Sequence, residues 1–281
     1  MDSDPRPGDV PAALDLRAPL AVGRTAEVFA WGDDRVLKLF RPGWRMDVAR
    51  HELAVARAIY DVGVPSPHPD EVIEVAGRAG VVYERIHGPS LLALLARPGR
   101  WGANARTLGE THAAIHAAPA PELPPLDEAL RRAITAAPGL PAAERAAALG
   151  ALDALVGSTV AAALCHVDYH PANVLLDPRG PKVIDWENAT IGDPAADVAR
   201  TLLLVRSSEA SIPSRAGRLV RRTLGALLIA LYLRAYGRKR PLDRARLAAW
   251  ELPITAARLN EGIAEERGYL LARVRRLAAR G

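Results

Sequence analysis

Apolar and polar positions alternate in short runs over the first third of the chain, then change period. Leu20–Val22, Glu27–Trp31 and Val36–Phe40 read as three short strands. Gly23-Arg24-Thr25-Ala26 turns between the first two, and Gly32-Asp33-Asp34-Arg35 between the second and third. From Met46 to Val62, the positions Met46, Ala49, Leu53, Ala56 and Tyr60 recur at helical spacing and form one apolar face. Gly63 and Pro65 stop that helix. Strand alternation returns in Glu71–Val75 and Gly80–Glu84, around a turn at Gly77-Arg78-Ala79. The first 86 residues therefore read β-β-β-α-β-β.

From Ser90 onward long helical patterns rich in Ala, Leu and Arg take over, over about Ala103–Ala117 and Ala142–Leu164. Val174–Leu176 and Lys182–Ile184, joined by Asp177-Pro178-Arg179-Gly180, form a hairpin pattern, and after Pro194 the chain reads helical to its end. Pro119–Pro125 is a loop between helices. Leu224 to Leu233 is too short to span a bilayer and reads as a buried helix. The expected fold is α+β and bilobal. A small antiparallel-sheet lobe with one helix covers residues 1–86, with 1–18 a loose leader, and a larger, mainly helical lobe covers 87–281.

Composition narrows the class without changing this picture. Of 281 residues, 49% are apolar and 25% charged, which is globular rather than disordered. Cys165 is the one cysteine, so no intrachain disulfide can form, and a reducing compartment fits. The segment MDSDPRPGDV is acidic and Pro-rich with no apolar core, unlike a signal peptide. The expectation is a cytoplasmic protein, monomer or weak dimer, with no membrane partner. The net charge of +5 would suit nucleic acid, but the basic residues are spread over helical patterns without aromatic interleaving. No nucleic-acid partner is expected.

Candidate chemistry begins on the third strand. Val36 and Lys38 share a face, and a lysine on the inner face of a small sheet needs an anionic partner. Glu52 on the following helix can supply it, although a solvated strand lysine has the same pattern. Gly23 lets backbone approach a ligand, and the N–H groups of its turn can cradle phosphate, but any hairpin accommodates one glycine. The stretch His166-Val167-Asp168-Tyr169-His170-Pro171-Ala172-Asn173 carries a carboxylate and an amide five residues apart, and Asp185 follows the hairpin. Such groups can converge on one point. Phosphoryl transfer needs one carboxylate for the attacking hydroxyl and further oxygen donors for magnesium on the nucleotide phosphates. A zinc site through His166 and His170 is the rival. Pro171 breaks the continuous helix that such a pair would use, and the metalloprotease Glu is missing. Cys165 reads as a small buried residue rather than a nucleophile.

These residues resemble the aminoglycoside phosphotransferase and choline kinase-like small-molecule kinases, on the protein-kinase-like fold. The usual loop H-G-D-x-H-P-x-N is met by H-V-D-Y-H-P-A-N. The usual I-D-W-E-x-A-x-x-G-D-P-x-x-D-L-A is met by I-D-W-E-N-A-T-I-G-D-P-A-A-D-V-A over Ile184–Ala199. The resemblance implies that Asp168 is the catalytic base and that Asn173 and Asp185 are magnesium ligands. Lys38 becomes the phosphate-binding lysine with Glu52 its partner, and Gly23, Arg24 and Thr25 lie in the nucleotide loop. It places Val36 over the base of ATP or GTP, with the Glu84 carbonyl and Ile86 N–H at the purine edge. Asp193 and Asp197 would cap a helix and brace the loop. Val167 stands where the family usually has Gly, and Asn188 where an acidic residue is common.

The acceptor is expected to be a small hydroxylated molecule. Asp185 runs within eight residues to Gly192-Asp193-Pro194 with no A-P-E motif, leaving little room for a peptide platform. Glu187, Glu251, Asn260 and Glu261 are candidate acceptor contacts, with solvated helix charge as the alternative. Basic residues outnumber acidic ones threefold after Val198, which weakens a strictly aminoglycoside reading. A nucleotide-binding pseudokinase scaffold and, more remotely, a protein kinase are the competing functions. Every catalytic position is filled, which disfavours the scaffold.

Overall fold

A computed structural model describes residues 14–95, 99–156, 160–210 and 212–280. The leader read over residues 1–18 falls outside it up to residue 13. The elements in chain order are β1 (Ala21–Val22), β2 (Ala26–Trp31), β3 (Arg35–Phe40), α1 (Met46–Asp61), β4 (Pro69–Val75) and β5 (Arg78–Glu84). Then come α2 (Leu91–Leu95), α3 (Trp101–Ile115), α4 (Leu126–Ala136), α5 (Ala142–Val156), β6 (Ala163–Cys165) and a 3-10 turn at Pro171–Asn173. The hairpin is β7 (Val174–Asp177) and β8 (Gly180–Val183), followed by β9 (Thr190–Gly192) and α6 (Pro194–Ser207). The chain ends in α7 (Arg215–Lys239), α8 (Arg244–Ala249), α9 (Glu251–Arg258), a 3-10 turn at Leu259–Glu261, and α10 (Ala264–Ala278). This is the α+β architecture expected, an antiparallel sheet followed by a mainly helical part.

Two compact units divide the chain: residues 1–89 with 175–187, and residues 90–174 with 188–281. The hairpin, placed by sequence in the second lobe, thus belongs to the first unit. Backbone hydrogen bonds explain it: Leu176 N donates to Pro89 O at 2.9 Å and Val183 N to Pro65 O at 2.6 Å. Lys182 Nζ donates to Ser66 O at 3.1 Å. Gly88 lies so close to the hairpin that a Cβ there would stand 1.6 Å from the Leu176 carbonyl oxygen.

In the first unit the sheet runs β1-β2-β3-β5-β4, antiparallel throughout. Strand alternation gives it two apolar faces. Phe29, Trp31, Leu37, Leu39 and Val82 pack on one. Ala26, Phe40 and Val81 pack on the other, against Ala49 and Leu53 of α1. Lys38 alternates with Leu37 and Leu39, so its side chain lies on the face that α1 covers.

In the second unit, α3 and α7 approach closely because Gly109 has no side chain. A Cβ there would be 2.6 Å from Tyr232 O. Two expectations fail here. Ala163 and Leu164, read as the end of a helix over about Ala142–Leu164, belong to a strand, Ala163–Cys165, paired antiparallel with Thr190–Gly192. A short apolar run has no period that separates a buried strand from a buried helix. Leu224–Leu233 is helical but not buried throughout: Leu224 is 37% and Leu227 48% exposed. Among the described residues, no helix is long and apolar enough to cross a membrane.

Candidate active site

The candidate residues fall into two groups, one in each unit. In the first, Lys38 Nζ lies 3.0 Å from Glu52 Oε1, 3.0 Å from Asp185 Oδ1 and 3.5 Å from Glu187 Oε2. Tyr83 donates its hydroxyl to the same Glu52 oxygen at 2.8 Å. Burial alone would lower the Lys38 pKa, but the charges of Glu52, Asp185 and Glu187 outweigh it and hold the ammonium above the ordinary lysine value. Glu187 is pushed up by burial and by repulsion from Asp185 and Glu52, against the pull of Lys38. Read from sequence among the acceptor contacts, Glu187 sits instead beside the lysine. One cation among three carboxylates leaves net negative charge, a setting that favours a further cation.

Elsewhere in this unit the Gly23 turn is closed by Gly23 N donating to Ala26 O at 2.8 Å, and a Cβ on Gly23 would meet that oxygen at 3.1 Å. Arg41 gathers the carbonyls of the turn: its Nε donates to Arg24 O, a terminal nitrogen to Gly23 O, and its backbone N to Thr25 O. Val36 is half-buried. The Glu84 side chain accepts from His68 N and pairs with Arg179, which also binds Asp177 in the hairpin turn. The Glu84 carboxylate is therefore occupied locally. Ile86 follows β5 and is half-buried.

The second group is built on the loop between β6 and β7. Asp197 on α6 is fully buried and receives the backbone N–H of His166 on Oδ2 (2.6 Å) and of Val167 on Oδ1 (2.8 Å). Arg200, one turn along the helix, donates Nε to Val167 O at 3.0 Å. One residue of the loop is thus gripped at both its N–H and its C=O by α6. Val167 is held at φ 65°, left-handed backbone that a β-branched residue rarely adopts. That explains why glycine is usual here in the family the sequence resembles. Thr201 donates to Tyr169 O, and Tyr169 donates to Leu108 O, fixing the other side of the loop.

Asp168 emerges from this frame with its side chain 24% exposed. Burial would raise its pKa, but the His170 imidazole 3.6 Å away and the Arg200 guanidinium 3.8 Å away hold it well below the usual carboxylate range. It is ionised at neutral pH. Asn173, buried, donates Nδ2 to Asp168 O at 3.0 Å, which leaves Oδ1 as the free end of the amide. Asp185, at φ 69° after β8, keeps a partly exposed carboxylate. Amide and carboxylate oxygens are hard donors and suit a magnesium ion.

Zinc is not favoured by the loop histidines. His166 Nδ1 accepts from Asp168 N, and His170 Nδ1 accepts from Ala172 N. Among the described residues the His/Asp group within ligand distance is His112, His116 and Asp197, all buried. There both Nε2 atoms meet Asp197 Oδ2, at 3.0 and 3.2 Å, and both Nδ1 atoms meet hydroxyls, of Tyr232 at 2.7 Å and Tyr236 at 2.8 Å. Every ring nitrogen has a partner. Burial and the neighbouring His116 lower the His112 pKa to about 4, so it is neutral and this is a hydrogen-bonded brace behind the loop.

The remaining acceptor candidates separate clearly. Glu251 spends both oxygens on Arg206 (3.0 Å) and Arg273 (2.6 Å), tying α9 to α6 and α10. Asn260 is exposed. Glu261 pairs with Arg200 and Arg258, so one guanidinium links it to Asp168. Asp193 caps α6 through Ala195 N and takes Arg246 and Trp250 on its other oxygen. Cys165 is buried, which pushes its thiol well up. Sequence reasoning missed Arg200, Arg41 and the His112–His116 pair. The pair did leave a trace, in histidines four apart on α3 answered by tyrosines four apart on α7.

Known proteins share this fold. Among solved structures, a choline/ethanolamine kinase family protein from Mesorhizobium loti matches with TM-score 0.61 and 22% identity, over 96% of this chain and 88% of that one. A type VIII aminoglycoside-3'-phosphotransferase matches with TM-score 0.60 and 22% identity, over 85% and 92%. An amicoumacin kinase solved with AMP-PNP, Ca2+ and Ami matches with TM-score 0.59 and 17% identity, over 94% and 88%. These likenesses establish the fold. No curated protein matches the sequence significantly. A family model described as "Phosphotransferase enzyme family" matches residues 17–250, a span that takes in the sheet, the loop around Asp168 and the Ile184–Ala199 motif. The chain belongs to the phosphotransferase enzyme family.

Proposed function

We propose that the protein transfers the γ-phosphoryl group of ATP or GTP to a hydroxyl of a small molecule, with magnesium. The observation that carries this is Lys38, held at 3.0 Å by both Glu52 and Asp185 on the α1-covered face of the sheet. In this reading the Lys38 ammonium neutralises phosphate oxygens, and the Gly23–Thr25 turn covers them. Val36, the Glu84 carbonyl and the Ile86 N–H receive the purine. Asn173 and Asp185 offer the oxygen donors for the metal, which when bound neutralises charge on the phosphates. Asp168 orients the acceptor hydroxyl. A carboxylate held so low is a weak proton acceptor, so its main contribution is positioning, which a loose phosphoryl-transfer transition state requires. The acceptor is a hydroxylated antibiotic, nucleoside, sugar or amino alcohol, with Glu261, joined to Asp168 through the Arg200 guanidinium, as an acidic contact. A cytoplasmic location suits such substrates.

The test is Asp168→Ala assayed with nucleotide and a panel of hydroxylated acceptors by mass detection of the phosphorylated product. We expect the wild type to phosphorylate at least one acceptor class. The variant should bind nucleotide with near-normal affinity and lose about 10³-fold or more in turnover. Unchanged turnover would remove Asp168 from the mechanism. Nucleotide binding without consumption across the panel would favour a scaffold.

A further inference from the structure

Only one stripe of α7 is seated. Gly225, Leu228, Tyr232, Ala235 and Tyr236 are buried along one side of the helix. The opposite side of its first half is open. Leu219 is 65% exposed, Val220 58%, Leu227 48% and Leu224 37%. At helical spacing these four side chains fall within an arc of about 140°. Single exposed apolar residues are ordinary, but four large ones on one helix face mark a contact surface.

Charge decides what that surface contacts. α7 has no acidic residue at all. From Arg215 to Arg246 the chain carries ten basic side chains against Asp243 alone, an excess larger than the +5 of the whole chain. The cationic character of the protein therefore comes from this segment. Arg215, Arg222, Arg234, Arg238 and Lys239 are exposed. None has an ion-pair partner among the described residues, whereas Arg206 and Arg246 on neighbouring helices do. A second copy laid helix to helix would set cations against cations. Nucleic acid would take the arginines but leave the leucines in water.

We propose that the outer face of α7 docks on an anionic lipid surface. Such a surface takes both features at once. The headgroup–acyl boundary receives Leu219, Val220, Leu224 and Leu227, and the headgroup phosphates receive the flanking arginines. The helix lies in the interface and does not cross it, in keeping with its hydropathy and its many arginines. This departs from the expectation of no membrane partner, and it does not depend on the phosphotransferase reading.

The test is flotation of the full chain with vesicles of phosphatidylcholine, with and without phosphatidylglycerol. Affinity for the phosphatidylglycerol vesicles should exceed that for neutral ones by at least about tenfold and should fall as salt is raised. Leu219→Asp with Leu227→Asp should reduce binding by at least about tenfold. The thermal transition should not change, since both positions are exposed. Arg222→Glu with Arg234→Glu should remove the preference for phosphatidylglycerol. Absence of binding, or undiminished binding by the aspartate pair, would overturn the proposal. So would light scattering that shows a dimer dissolved by the same pair, which would assign the face to a second copy.

Discussion

At the scale of single residues, Val167 shows how function is secured against local preference. Its φ of 65° is imposed by the Asp197 carboxylate on its N–H and by Arg200 on its carbonyl. Left-handed backbone costs an L-residue roughly 1–2 kcal/mol, and the extra flexibility of glycine returns about half of that to the unfolded chain. Val167→Gly should therefore stabilise the fold by about 0.5–1 kcal/mol, seen as a rise of a few degrees in melting temperature. Arg200→Met should act in the opposite direction. It leaves Glu261 without its Arg200 partner and removes a charge that keeps Asp168 low, so the acid limb of the pH–rate profile should move upward. At this scale the sequence was informative wherever chemistry depends on residue type at fixed spacing. Lys38, Glu52, Asp168 and Asn173 could be picked out before any fold was known. Arg200 could not, because one arginine among the many helical arginines of this chain carries no distinguishing pattern.

At the scale of elements, α3 and α7 show a buried polar brace that sequence patterning conceals. His112 and Tyr232 are 120 residues apart, and nothing local connects them. They meet because Gly109 lets the two helices approach. Gly109→Ala should separate them and cost about 1–3 kcal/mol, measurable by denaturant unfolding. The brace also sets a pH dependence. His112 titrates near 6.5 when unfolded and about 4 when folded. Between those values the unfolded chain binds a proton that the native state refuses, so stability falls as pH drops from about 6.5 towards 4, by up to about 1.4 kcal/mol per pH unit. Above that window the histidine is neutral in both states and contributes no slope. Unfolding curves for His112→Gln should show a flatter profile over the same window. Elements with strong alternation or amphipathic spacing, such as β3 and α1, were legible from sequence. Uniformly apolar runs were not: Ala163 and Leu164 of β6 were taken for the end of a helix, and the exposed Leu224 and Leu227 of α7 for core. Apolar composition reports the tendency to be buried, and only the partners decide which side is.

At the scale of the whole molecule, the two units are not two consecutive stretches of chain. The hairpin Leu175–Glu187 completes the first unit after half of the second has been traversed. Sequence put the boundary near residue 86 because composition changes there, and composition cannot show a segment that returns. Gly88→Ala tests this assignment, since its Cβ would collide with the Leu176 carbonyl. We expect faster hydrogen exchange in residues 175–187 and weaker nucleotide binding, with exchange in α3 and α7 unchanged. The interleaving has a further consequence for how the protein is made. Lys38 and Asp185 are 147 residues apart. At synthesis rates of roughly 5–20 residues per second, the ribosome needs about 7–30 s to deliver the second after the first. Through that interval the nascent chain holds Lys38 and Glu52 but lacks Asp185. The protein acquires its complete lysine–carboxylate cluster only after residues 90–174 of the second unit have been made.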